Sequence, residues 1–235
     1  MLIALGNIEM NSIIDGMISM AKDQNVVHEH NQITGQGQWT HGDGWGIAYL
    51  RDNQWILDKS PKAIYDDPKI DRFRNLKTNL VILHARKKSV GKEININNCH
   101  PFQNNDFLFC HNGTIKEKIF HSSSFKPIGA TDSERLFYSI LSKLPGIEMT
   151  PSIKNTLNQY QSAKGTNIIL SDKQKSYIYI KENIFPLYYE MKIGKKKDLL
   201  LISSEKLKNI NLNWETLESA KVYTIDNKNL NIHCD

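Results

Sequence analysis

The chain is cut into short apolar runs, each closed off by polar or turn-forming residues, and this punctuation limits what it can fold into. Residues 2–6 (LIALG) and 79–84 (NLVILH) read as fully buried strands, and 106–111 (DFLFCH) as another. Residues 45–50 and 54–59 flank Asp52-Asn53, a hairpin signal. Further runs at 167–170, 176–180, 185–189, 198–203 and 221–225 are separated by Asp, Lys, Gly and Asn, the pattern of an antiparallel sheet. Helical spacing is confined to a few places. Ile13, Ile14, Met17 and Met20 share a face in 11–22, after Asn11 or Ser12 as N-cap. Leu136, Phe137, Ile140 and Leu144 do the same in 132–144, where Pro145 is expected to end the helix. A further helix is expected over 151–163. Strands interleaved with few helices imply an α+β fold of antiparallel sheets covered by helices.

A chain of 235 residues can bury a substantial core, and we expect one domain over 1–235. The net charge of +5 is a mild excess. Part of it lies in 192–197 (KIGKKK), read as a solvated hairpin tip, so nucleic acid is not the expected partner. Three scattered cysteines make no disulfide framework and no zinc spacing, which points to a reducing compartment. No apolar stretch approaches the ~20 residues that span a bilayer. The start, MLIALGNIEMNS, lacks the basic segment of a signal peptide. A cytoplasmic protein without a membrane anchor is expected.

Five segments concentrate the chemistry: HGDGWGIAYL (41–50), LHARKKSVG (83–91), NCHPF (98–102), FCHNGTI (109–115) and ATDSERLF (130–137). Arg86 follows an apolar run, at a strand end, where a guanidinium fork can hold a carboxylate; taken alone it is also an ordinary surface arginine. Asn112-Gly113 can supply a side-chain amide and a close backbone N–H to a developing oxyanion, or can simply be a turn. Asp132 can hold an ammonium group or cap a helix, and Ser133 could share the cap. Trp45 can wall a pocket. His84, His100 and His111 raise a metal reading, and His28 and His30 could pair on a strand face, but neither set has a convincing ligand spacing.

In their order and spacing these segments resemble the class II glutamine amidotransferases, of the N-terminal-nucleophile hydrolase superfamily. The similarity is dense over 41–137 and weaker over 166–205 (TNIILSD and SSEKL). It implies a four-layer αββα sandwich of two antiparallel sheets. It assigns Arg86 to the substrate carboxylate, Asp132 to its α-ammonium, Asn112 and Gly113 to the oxyanion hole, and Ser89 and Val90 to the loop after the clamp. His84, His100 and His111 then become structural, with no metal or cofactor expected. Lys87 and Lys88 replace small residues and would narrow or recharge the pocket rim.

The resemblance also calls for a cysteine directly after the initiator methionine, whose thiol attacks and whose amine serves as base. Position 2 is Leu2. Leucine has no nucleophilic atom, and its bulk should leave Met1 in place. Cys110, two residues and about 6.8 Å behind Asn112 on the same strand face, is a poor substitute, as is Cys99 beside His100. Two readings follow. In one, the chain binds glutamine or a γ-glutamyl small molecule as a binding or regulatory subunit, with a separate synthase or acceptor domain as a partner. In the other, it is an active amidohydrolase that releases ammonia by altered chemistry.

Overall fold

In the computed structural model, residues 1–25, 38–89, 91–181 and 185–235 are described. Strand β1 (Leu2–Gly6) leads to helix α1 (Met10–Ala21). The N-cap of α1 is Glu9, not Asn11 or Ser12: its carboxylate accepts the N–H groups of Asn11 at 3.1 Å and Ser12 at 2.8 Å. A carboxylate here offsets orphan donors and the positive end of the helix dipole. Strands β2 (Trp45–Arg51) and β3 (Gln54–Ser60) form the expected hairpin. Asp52 and Asn53 adopt φ of +49° and +57°, as a tight turn matched to the strand twist requires. Strands β4 (Leu80–Ala85), β5 (Phe102–Asn104) and β6 (Phe107–Thr114) follow, then helices α2 (Asp132–Leu141) and α3 (Met149–Leu157).

Helix α2 ends before Pro145 can act. Ser142 turns its hydroxyl back onto the Tyr138 carbonyl at 2.6 Å, and Lys143 closes a tighter bond to Ile140. Helix α3 stops at Leu157, well short of residue 163, because β7 (Lys164–Ser171) begins soon after. Strand β8 (Lys175–Tyr179) comes next. The apolar run 185–189 is not a strand. It forms the short helix α4 (Pro186–Tyr189), with Pro186 in the first turn, where its fixed φ and missing N–H are harmless. Strands β9 (Lys192–Lys196), β10 (Leu199–Ser203), β11 (Asn213–Thr216), β12 (Val222–Asp226) and β13 (Ile232–Cys234) complete the described elements. Most of KIGKKK is therefore strand, with Ile193 and Gly194 buried, and only its end reaches the turn before β10.

Two antiparallel sheets result, in the order β11-β9-β10-β1-β4-β2-β3 and β13-β12-β8-β7-β6-β5. Alternation along the strands sorts the core into three layers. Ile3, Leu5, Leu80 and Ile82 of the first sheet meet Leu108, Cys110, Ile169 and Ile178 of the second. Leu2, Ala4, Val81 and Leu83 face the other way, against Ile13, Ile14 and Met17 of α1. Phe109, Ile168 and Leu170 pack under α2 and α3. The architecture is thus the expected αββα sandwich. Among the described residues no helix is long and apolar enough to cross a membrane.

Candidate functional site

At one end of the two sheets, the start of β1, the end of β4, the end of β6 and the start of β7 converge on a cavity of about 690 Å³. Arg86, Ser89, Asn112, Gly113 and Asp132, separated by up to 46 positions in the sequence (132 − 86), all line it. Val90 lies outside the described residues, as do His28 and His30.

Arg86 leaves the end of β4 and is buried. Its backbone is locked to the glycine-rich loop: its N–H donates to Gly44 at 2.8 Å, and its carbonyl accepts from Asp43 at 2.9 Å. Its guanidinium Nη1 donates to the Asp43 carbonyl at 3.3 Å, and the Asp43 carboxylate accepts the Lys88 N–H at 2.9 Å. Asp43 therefore holds both the clamp and the chain after it. Burial lowers the Arg86 pKa from its ordinary value, but a guanidinium remains charged at any working pH.

Asn112 and Gly113 are not a turn. Both lie within β6, opposite Asn167 and Thr166, with an irregularity in register just after Gly113. A Cβ on Gly113 would stand 2.0 Å from the Gly165 carbonyl oxygen, and one on Gly165 would stand 2.3 Å from the Tyr189 ring. Both positions need hydrogen as their side chain, because backbone and ring approach too closely for anything larger.

Asp132 opens helix α2 but does not cap it. Thr131 is the N-cap, its hydroxyl accepting the Glu134 N–H at 3.1 Å. The Asp132 Oδ2 instead accepts the Ile115 N–H at 2.8 Å, tying the helix start to the segment after β6. Oδ1 makes no hydrogen bond among the described residues. Ser133 donates to or accepts from His111 Nδ1 at 3.0 Å and takes no part in the cap.

Trp45 does not wall the cavity. It is wholly buried on the α1 side of the first sheet, where its indole N–H donates to Asp67 at 3.1 Å and its ring meets Phe73 edge-on. Strand alternation decides this: Ile47, two residues on, faces the same way. The aromatic wall comes from residues that the sequence did not single out. Trp39, Tyr188 and Tyr189 line the cavity. Trp39 donates its indole N–H to the Tyr188 hydroxyl at 3.0 Å, and His41 Nε2 lies 3.3 Å from that same oxygen. The one sequence signal for this wall was the apolar run 185–189, read as strand. Glu205 of the SSEKL segment is also in the lining.

His84 and His100 stack in the cavity wall with ring centroids 4.2 Å apart. Burial holds both pKa values well below the usual imidazole range, reinforced at His84 by His100 and at His100 by His111 and Lys59. They are neutral rings at neutral pH. Among the described residues no cluster of three or more His, Cys, Asp or Glu is placed to hold a metal ion.

The β1 end differs. Leu2 is fully buried against α1 and does not touch the cavity. Met1 does line it, with its carbonyl accepting from the Ser204 N–H at 3.1 Å. Neither Cys99 nor Cys110 reaches the cavity. Burial pushes the Cys110 thiol up to about 12 and raises that of Cys99, so both are packed thiols rather than nucleophiles.

The chain was compared with known proteins. A family model described as class-II glutamine amidotransferases matches residues 16–188. YafJ of Escherichia coli K12, provisionally named a glutamine amidotransferase, is 29% identical over 170 residues, covering 64% of this chain and 65% of YafJ. The chain thus spans somewhat less than two thirds of that relative. Among solved structures, a class-II glutamine aminotransferase domain protein (SPO2029) of Silicibacter pomeroyi superposes with a TM-score of 0.67 at 16% identity, over 99% of this chain and 97% of that one. Glutamine phosphoribosylpyrophosphate amidotransferase of Bacillus subtilis also gives 0.67 at 16% identity, over all of this chain but 48% of that one. At such identities the two structures show a shared fold.

Proposed function

Because this chain belongs to the class-II glutamine amidotransferases, we propose that it binds the γ-glutamyl group of glutamine or a related compound in the cavity, and that it lacks the family's cysteine chemistry. It then acts as a binding or regulatory subunit, serving a synthase or acceptor domain supplied separately.

The observation that carries this reading is the contrast within one cavity. Arg86, Asn112, Gly113 and Asp132 share its wall, while Met1, just before β1, lines it and Leu2 does not. Arg86 offers the planar fork that a substrate α-carboxylate fits. Asp132 Oδ1 accepts from the α-ammonium, with Oδ2 already holding the carboxylate in place. The Asn112 side-chain amide and the Gly113 N–H are the donors toward the γ-carbonyl oxygen, and Ser89, 3.4 Å from the Thr114 hydroxyl, closes the rim. Against that set, Met1 offers a thioether, which cannot attack an amide, and an α-amine that donates to the Ser204 hydroxyl at 3.2 Å, neither of them a thiol, and Leu2 offers only hydrocarbon. Loss of a covalent nucleophile costs several powers of ten in rate.

Calorimetric titration with glutamine and with γ-glutamylethylamide tests the binding half. Heat is expected with the native protein and is lost in Arg86→Ala, with Arg86→Lys weakened, since an ammonium cannot replace the two-pronged contact. Absence of heat with either ligand would sink the reading. An ammonia assay with glutamine tests the other half: release indistinguishable from buffer is expected, and turnover that survives repurification and disappears in Cys110→Ser would overturn it.

A further inference from the structure

The cavity is both larger and more basic than a free amino acid requires. Its volume of about 690 Å³ falls in the range that encloses drug-sized ligands, roughly 300–1,000 Å³. Glutamine is zwitterionic, and one guanidinium and one carboxylate satisfy it. Beyond Arg86, the lining holds Lys87, Lys88, Lys92, Lys116 and Lys164. Among the described residues, the carboxylates in the lining are Asp132 and Glu205. After Arg86 and Asp132 are assigned to the amino-acid group, the described residues of the wall keep five lysine ammonium groups against one carboxylate.

These lysines come from three separate places, so the bias is not one charged run. Lys87, Lys88 and Lys92 follow the end of β4, Lys116 follows β6, and Lys164 begins β7 directly across from Thr114. None of the five forms an ion pair among the described residues. Two are tethered by neutral carbonyls, Lys87 to Thr40 at 3.1 Å and Lys92 to Ala130 at 3.3 Å. Lys87 is further held over the Trp39 ring, 4.1 Å from its centroid, an arrangement that positions the cation without neutralising it. Like charges gathered around a concave opening raise the local potential and draw in ligands of the opposite sign.

We propose that the ligand of this cavity is a γ-glutamyl compound whose second half carries additional negative charge, read by the lysine rim. The proposal rests on the γ-glutamyl reading above and names the class of group attached to the γ-carbonyl. Carboxylate and phosphate share the chemistry that five lysines recognise.

Titrations with a matched set separate the possibilities: glutamine and γ-glutamylethylamide with uncharged second halves, γ-glutamylglycine and γ-glutamylglutamate with one and two added carboxylates, and γ-glutamylaminomethylphosphonate. At low salt, affinity should rise with added charge, reaching about tenfold between γ-glutamylethylamide and γ-glutamylglutamate. The gain should shrink as sodium chloride is raised, because rim charges are screened. Whichever of the carboxylate and phosphonate ligands binds tighter names the source. In Lys88→Ala/Lys116→Ala/Lys164→Ala, the ratio of the two affinities should fall toward one. If the uncharged ligands bind as tightly as the charged ones, the lysine proposal is overturned and the γ-glutamyl reading stands. If no ligand of the set binds, both fail.

Discussion

Two regions meet in the same cavity and are built in opposite ways. The wall formed by the ends of β4 and β6 and the start of α2 is polar, and each of its groups is fixed by backbone hydrogen bonds: Arg86 through Asp43 and Gly44, Asp132 through the Ile115 N–H. The side chains at the start of the chain are apolar, with Leu2 sealed against α1 and Met1, just before β1, at the cavity edge. The first region is set by strand ends and loops; the second is set by the packing of one central strand. The difference teaches that the hydrogen bonds fixing Arg86 and Asp132 run to Asp43, Gly44 and Ile115 and none to residue 2, although Ala85, at the end of β4, packs in the same apolar cluster as Leu2.

The comparison can be broken most severely at Gly113. Gly113→Ala should cost about 3 kcal/mol or more, because the new methyl group meets a backbone carbonyl that cannot rotate away. Urea denaturation would read this, and a loss under 1 kcal/mol would mean that the polar wall is softer than its hydrogen bonds suggest. At the other region, Leu2→Cys should cost about 2 kcal/mol by leaving part of a core site empty. While Met1 precedes it, the new thiol should produce no ammonia from glutamine and resist iodoacetamide in the folded protein. Rapid alkylation would show that residue 2 reaches the cavity after all.

A graded, pH-dependent effect concerns the seam between the regions, where His84 and His100 stack. Their folded pKa values lie below the unfolded value of about 6.5, so below that pH the unfolded chain binds more protons than the folded one. Stability should be complete above about pH 7 and fall as the pH drops below 6.5, by up to roughly 1.4 kcal/mol per pH unit for each ring. Melting temperatures from pH 7.5 to 5.5 check the sign, and a rise on acidification would contradict it.

Much of the frame was legible in advance because the apolar runs alternate or fill both faces at strand length. β1, β2, β3, β4 and β6 fall within three residues of their expected ends. The polar wall was legible because Arg86, Asn112, Gly113 and Asp132 sit in compact local strings. What failed depended on partners distant in sequence. Trp45 in HGDGWG belongs to the α1 side, since the side of the sheet an aromatic faces is fixed by the whole strand's register. The run at 185–189 became helix because Gly165 leaves room for the Tyr189 ring, and the Asn167 side chain donates to the Tyr189 carbonyl. Glu9 replaced Asn11 as cap because the helix starts at Met10, two residues earlier than an Asn11 cap would give.

The sequence by itself determined the αββα frame, the set of polar side chains that could meet a γ-glutamyl group, and the leucine at position 2. Periodicity and local motifs carry that information, since each is decided within a few residues. Only the tertiary structure decided which residues share one cavity, that Met1 rather than Leu2 borders it, and that lysines from three separate segments ring it. Those facts are sums over strand register and sheet pairing, where a shift of one residue turns a side chain from the cavity to the core.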